Sequence, residues 1–232
     1  MVDIKANIES VREQVRDIAK RCGRNPDDIL LCAVTKTRTV DEINNAIDAG
    51  ITDIGENKVQ EIVDKIDGVR ADVRWHLIGH LQRNKVKYIV DKVYMIHSVD
   101  SAKLAEEIDK RAAQHDIKMN ILIQVNSAGE ESKFGIAVDE VKPLIDYIAE
   151  NCRNLVVKGL MCIAPITDDL SEAAEYFGIV KKIYDSYISD ERLGVDFEYL
   201  SMGMSGDYEA AISEGSNMIR IGTAIFGERE YV

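Results

Sequence analysis

Apolar residues fall at Ile4, Ile8, Val11, Val15, Ile18 and Cys22, the three-and-four spacing of an amphipathic helix. Gly23 closes that helix and Asn25-Pro26-Asp27-Asp28 turns the chain. Beyond the turn the pattern changes. Short apolar runs at 29–34, 52–55, 74–79, 94–99, 119–125, 156–163, 198–202 and 217–221 read as strands. Helical spacing occupies 39–49, 57–67, 82–91, 101–115, 138–151, 169–188 and 207–214. Eight strands therefore alternate with seven helices, and the N-terminal helix makes an eighth.

Such alternation implies parallel strands joined by right-handed crossovers. Eight units can close into a (β/α)8 barrel, commonly built from ~250 residues. The competing open, doubly wound sheet uses about five to seven strands and a glycine-rich first turn. The first turn here is Thr35-Lys36-Thr37-Arg38, without glycine. The expected fold is α/β, a single (β/α)8 TIM barrel with an extra N-terminal helix, forming one domain over residues 1–232 with no linker or low-complexity segment.

Charge and cysteine usage narrow the class. A formal net charge of −12 argues against binding nucleic acid or anionic membranes, which need clustered Lys and Arg. Of the four cysteines Cys22, Cys32, Cys152 and Cys162, none shows CxxC spacing, and Cys32 and Cys162 sit inside apolar runs. Reduced, buried thiols in a cytoplasmic protein are expected. The N-terminus lacks the form of a signal peptide, and no apolar run approaches the ~20 residues that span a bilayer.

Candidate chemistry starts at Lys36, which emerges from the apolar run Ile29–Val34. Desolvation there favours the neutral amine, a nucleophile suited to Schiff-base formation; a lysine snorkelling to solvent is the plainer reading. Barrels of this class gather function at strand C-termini and often bind phosphate after the seventh and eighth strands. After the seventh run comes Ser201-Met202-Gly203-Met204-Ser205-Gly206-Asp207, where Ser205 and Gly206 can present a hydroxyl and a close backbone, and Asp207 can cap the next helix. After the eighth comes Gly222-Thr223, again a close backbone and a hydroxyl. Tight βα turns alone would also explain these glycines. Arg220 alternates with Ile219 and Ile221 and shares a strand face with Met218. A buried arginine stays charged and needs an acceptor. Glu56 is one possible source, and a pyridine nitrogen is another. An amine, a phosphate cradle and an arginine between them fit one ligand, pyridoxal 5′-phosphate (PLP).

Several long motifs sharpen this. Ala33-Val34-Thr35-Lys36, Gly55-Glu56-Asn57-Lys58-Val59-Gln60-Glu61, Trp75–Lys85, Leu200–Ser205 and Ile219–Gly227 together resemble the pyridoxal-phosphate homeostasis protein family. The resemblance implies a barrel similar to the N-terminal domain of alanine racemase and a monomer. It implies an internal aldimine on Lys36, Arg220 facing the pyridine nitrogen, and phosphate contacts from Ser205, Gly222 and Thr223. Asn57, His80 and Met202 match motif positions near the cofactor.

The remaining polar candidates carry less. His76 and His80 are four apart, a metal-pair spacing on a helix, but here a strand end and Gly79 intervene, so no metal is expected. His97 either reaches the barrel mouth or belongs to an inner layer, and His115 reads as surface. Lys133 lies in a polar loop and reads as exposed, with a handover role for the cofactor as the alternative. Three functions compete: a PLP carrier that buffers and supplies cofactor to apo-enzymes, a PLP-dependent racemase or decarboxylase, and a Schiff-base aldolase. Racemising relatives use a second domain that supplies a tyrosine base, and the chain ends at Val232. An arginine against the ring nitrogen also weakens the ring as an electron sink. A non-catalytic carrier is expected, with no catalytic residues.

Overall fold

In the computed structural model, which describes residues 2–130, 133–167 and 169–228, every apolar run forms a strand. These are β1 (Leu30–Val34), β2 (Asp53–Glu56), β3 (Arg74–Leu77), β4 (Met95–Val99), β5 (Met119–Val125), β6 (Leu155–Cys162), β7 (Val195–Ser201) and β8 (Met218–Ile221). They pair in chain order, all parallel, and β8 returns to β1 to close the barrel.

The helices are α1 (Ile4–Arg21), α2 (Val40–Asp48), α3 (Val59–Lys65), α4 (Ala102–Gln114), α5 (Val141–Asn151), α6 (Leu170–Asp185), α7 (Tyr208–Ser213) and α8 (Thr223–Phe226). Asp3 caps α1 by accepting from the Ala6 N–H, and Lys20 and Arg21 complement the dipole at its other end. Its buried face of Ile4, Ile8, Val11, Val15 and Ile18 packs against α2, α7 and α8. The N-terminal helix thus takes the eighth place in the outer ring.

Three elements depart from the sequence expectation. Residues 82–91 form a 3₁₀ helix, Arg83–Tyr88, instead of an α-helix; Val86 and Ile89 are its apolar anchors, and the Ile89 N–H donates to the Val86 carbonyl, the three-residue closure of that helix. Strand β7 starts at Val195 rather than 198, because Asp196 and Glu198 face outward to Lys158 and interrupt the apolar run. The one-turn helix α8 follows β8 inside the glycine-rich end motif.

Most of the core lies between sheet and helices, while Cys32, Met95, Leu122, Met161, Tyr199 and Met218 form a separate cluster inside the barrel. Among the described residues no helix is long and apolar enough to cross a membrane.

Candidate functional site

Lys36 stands two residues beyond β1, in a turn instead of on the strand. Its neighbour Thr37 has φ 64°, a left-handed conformation that a non-glycine residue keeps only when it is held there. Glu61 on α3 accepts from the Thr37 N–H at 2.7 Å. Lys65, one turn further along α3, donates to the Thr35 carbonyl at 3.1 Å and to Glu61 and Glu56 at 2.7 Å each. Glu56 also accepts from the Thr35 hydroxyl at 2.8 Å. Burial pushes the Glu56 carboxyl up against the pull of Lys65. For Glu61, burial acts the same way, but hydrogen bonds from Lys65 and Thr37 outweigh it and hold the carboxyl below its ordinary value. On the other side of the turn, Arg38 donates to the Gly227 carbonyl at 2.6 Å and tethers it to the end of α8.

Lys36, Gly222 and Thr223 line one small hollow with Val34 and Arg38. A Cβ on Gly222 would stand 3.3 Å from the Val34 Cβ and tighten that space. Ser205, from the loop after β7, reaches the start of α8, where its Oγ accepts from the Ala224 N–H at 3.5 Å. Gly203 makes the close approach: its φ is 93°, an added Cβ would lie 2.7 Å from that of Ala211, and its carbonyl accepts from the Arg220 N–H at 3.0 Å. Asp207 does not bond into α7 as a cap. Its carboxylate turns back to accept from the Met204 N–H at 2.5 Å, holding the loop that carries Ser205.

Arg220 is buried in the barrel. Its guanidinium donates to the Ser201 hydroxyl at 2.6 Å and to the Cys162 carbonyl at 3.0 Å. Glu56 is not its acceptor. On β2, Asp53 turns inward while Glu56, three residues on, faces Lys65 on α3. Beneath Arg220 a line of buried polar groups continues: His97 Nδ1 lies 3.3 Å from Ser201 Oγ, His97 Nε2 lies 2.9 Å from His76 Nδ1, and His76 Nε2 lies 2.8 Å from Asp53 Oδ1. Arg74 closes the far end on Asp53 at 2.8 Å. His97 is therefore an inner-layer residue.

The other sequence candidates scatter around the mouth. Asn57 follows β2 and is pressed by the next loop: a Cβ on Gly79 would sit 2.2 Å from the Asn57 carbonyl oxygen, so only glycine passes there. His80 is exposed, stacks on Phe134 at 4.1 Å between ring centroids, and has its Nδ1 3.7 Å from Asp100. It does not meet His76, which faces Asp53 inside the barrel. Met202 is buried with the sheet–helix core. Lys133 is not the exposed lysine expected; its ammonium is buried 3.2 Å from Glu130. His115 ends α4 at the surface. Lys36, Gly222 and Thr223 thus share one hollow, Ser205 reaches the neighbouring Ala224 N–H, and Met202 packs into the sheet–helix core. Sequence reasoning missed Glu61, Lys65 and Ser201; the i, i+4 pairing of Glu61 with Lys65 was the available signal for the first two.

A wider cavity lined by Arg12, Arg16, Asp28, Arg74 and Glu198 opens at the strand N-termini. It lies on the face that in such barrels serves stability, and its lining mixes both charges.

A model of the family described as alanine racemase, N-terminal domain, matches residues 6–230. The pyridoxal phosphate homeostasis protein of Aquifex aeolicus is 39% identical over 225 residues, covering 97% of each chain. That of Escherichia coli K12 is 39% identical over 235 residues, covering 100% of this chain and 99% of its own. Among solved structures, PipY of Synechococcus elongatus PCC7942 with PLP bound superimposes with a TM-score of 0.84 at 30% identity, covering 97% of this chain and all of that one. Alanine racemase of Clostridium difficile 630 shares the fold, with a TM-score of 0.66 at 15% identity over 95% of this chain and 57% of that one.

Proposed function

This chain belongs to the family of the alanine racemase N-terminal domain, and from that membership we propose that it is a PLP-binding protein of intracellular PLP homeostasis, a single barrel domain over residues 1–232 that holds, buffers and supplies the cofactor without turning it over. The observation that carries the reading is the shared hollow of Lys36, Gly222 and Thr223, with Arg220 two residues before Gly222 on β8. PLP offers an aldehyde, a phosphate and a pyridine nitrogen, and the donor set has a partner for each. Bound here, its aldehyde would supply Schiff-base chemistry, with the Lys36 amine as the group that would hold it.

Ser205 and Thr223 hydroxyls and the N–H groups opening α8 would take the phosphate, beside Gly222, whose missing Cβ leaves room. Arg220 would face the ring nitrogen. A guanidinium does not give up its proton, so the nitrogen would stay unprotonated and withdraw electrons weakly. That is the physical support for a holder over a racemase or decarboxylase. Asn57 and His80, at the ends of β2 and β3, would border the cofactor, with Met202 packed behind it. The carrier reading extends to a cytoplasmic monomer that passes PLP to apo-enzymes, with no resident metal and no nucleic-acid partner.

The test is direct. Purified protein mixed with PLP turns yellow, and borohydride followed by peptide mass analysis places the label on Lys36; Lys36→Ala takes no label. A colourless, unlabelled wild-type protein sinks the reading. Racemisation or decarboxylation that Lys36→Ala abolishes would overturn its non-catalytic half.

A further inference from the structure

The line of buried polar groups beneath Arg220 has a fixed direction. Asp53 accepts from Arg74 at 2.8 and 2.9 Å, so it is an anion and can only accept. The ring nitrogen facing it, His76 Nε2 at 2.8 Å, therefore carries a proton. Both histidines are fully buried, and burial holds both below their ordinary values, His97 well below, with the Arg220 charge adding to the penalty. A neutral His76 leaves Nδ1 as an acceptor, and the 2.9 Å contact then requires His97 Nε2 to donate. His97 Nδ1 is left to accept, from the Ser201 hydroxyl at 3.3 Å, and Ser201 Oγ in turn accepts from Arg220 at 2.6 Å. Every donor points from Arg220 toward Asp53. Aligned bonds polarise one another, and a hydroxyl whose proton is engaged is a better acceptor.

We propose that Asp53, His76, His97 and Ser201 form a one-way hydrogen-bond chain whose task is to position the Arg220 guanidinium and sustain its charge at the pyridine nitrogen of PLP. These four are positioning residues: none lines the hollow of Lys36, Gly222 and Thr223. The chain has ends of opposite charge, the Arg220 cation at the mouth and the Asp53 anion at the base, with Arg74 neutralising the anion. Strands β2, β3, β4, β7 and β8 each contribute one member. Burying five polar groups in this way is costly unless each is satisfied, and the alternate interior positions Cys32, Met95, Leu122, Met161 and Met218 are apolar. The inference rests on the PLP-binding reading.

Two variants cut the chain at different distances from Arg220. Ser201→Ala removes the hydroxyl on the guanidinium; Asp53→Asn keeps an acceptor for His76 but removes the charge at the far end. In the cofactor-free wild-type protein, long-range proton–nitrogen NMR should find both histidines as neutral Nε2–H tautomers. In the loaded protein, Ser201→Ala should weaken PLP binding about tenfold, the size of a lost hydrogen bond to a charged group. Both variants should shift the absorption maximum of the bound cofactor, and Asp53→Asn tests this without touching Arg220. Variants that melt at a lower temperature but bind PLP with unchanged affinity and an unchanged spectrum would show the chain to be structural only. A wild-type histidine found as an Nδ1–H tautomer would also overturn it. Failure of the wild type to bind PLP would instead sink the functional reading and leave the tautomer measurement to judge the chain.

Discussion

Thr37 keeps its left-handed backbone because a carboxylate on a neighbouring helix holds its N–H, and the same carboxylate is locked by Lys65. Lys36 is therefore presented by a braced turn rather than a free loop. Replacing Glu61 by Ala removes an acceptor whose hydrogen bond to a charged group is worth about 1.5–3 kcal/mol. The expected outcome is a lower melting temperature and slower borohydride trapping of PLP on Lys36. A trapping rate equal to wild type would show that the turn is held by Arg38 and Lys65 alone. Lys36 and Arg220 were legible in the sequence, the first at the end of an apolar run and the second by alternation within one. The partner of Arg220 was not. Assigning Glu56 to it required knowing which positions of β2 face inward, and Asp53 and Gly55 give no apolar pattern that reveals it.

At the scale of elements, strands and long helices followed from periodicity, and the departures have local causes. The stretch at 82–91 has too few apolar anchors to favour a full α-helix over a 3₁₀ turn, and β7 hides its start behind outward-facing acids. The best-defined helix start is that of α2, where Thr39 accepts from the Glu42 N–H while Glu42 accepts from the Thr39 N–H at 2.8 Å. This capping box begins three residues after Lys36 and fixes where the turn must end. Thr39→Ala should cost about 1 kcal/mol, a fall of roughly 2–4 °C in Tm for a chain of this size by calorimetry. An unchanged Tm would mean that α2 is held by packing of Ile43 and Ile47 alone.

At the scale of the molecule, the barrel interior couples stability to pH. His76 and His97 have folded pKa values below their ordinary one. An unfolded histidine titrates near about 6.5, so below that pH the unfolded chain binds protons that the folded chain refuses. Stability present above this value is lost as pH falls, with a slope approaching ~1.4 kcal/mol per pH unit per histidine. Asp53, held low by His76 and Arg74 against the penalty of burial, acts in the same direction at lower pH. Glu56, pushed up by burial, acts oppositely above the ordinary glutamate value. Tm should therefore fall as pH drops from 7 to 5.5, and His97→Gln, which cannot titrate, should flatten that fall. A wild-type Tm that does not change over this range would contradict buried neutral histidines.

Periodicity along the chain was enough for the barrel, for the face on which its chemistry gathers, and for the lysine and arginine that define the candidate site. Periodicity is local, and local spacing decides which residues a strand or helix can bury. Tertiary structure alone decided which polar groups meet. Arg38 and Gly227 are 189 positions apart, and Ser201 and His97 are 104. Only barrel closure and the pairing of β8 with β1 bring such groups within hydrogen-bonding distance. Burial then makes each unpaired donor or acceptor costly, which fixes the Ser201 hydroxyl and the Cys162 carbonyl as the partners of Arg220 where the sequence allowed several.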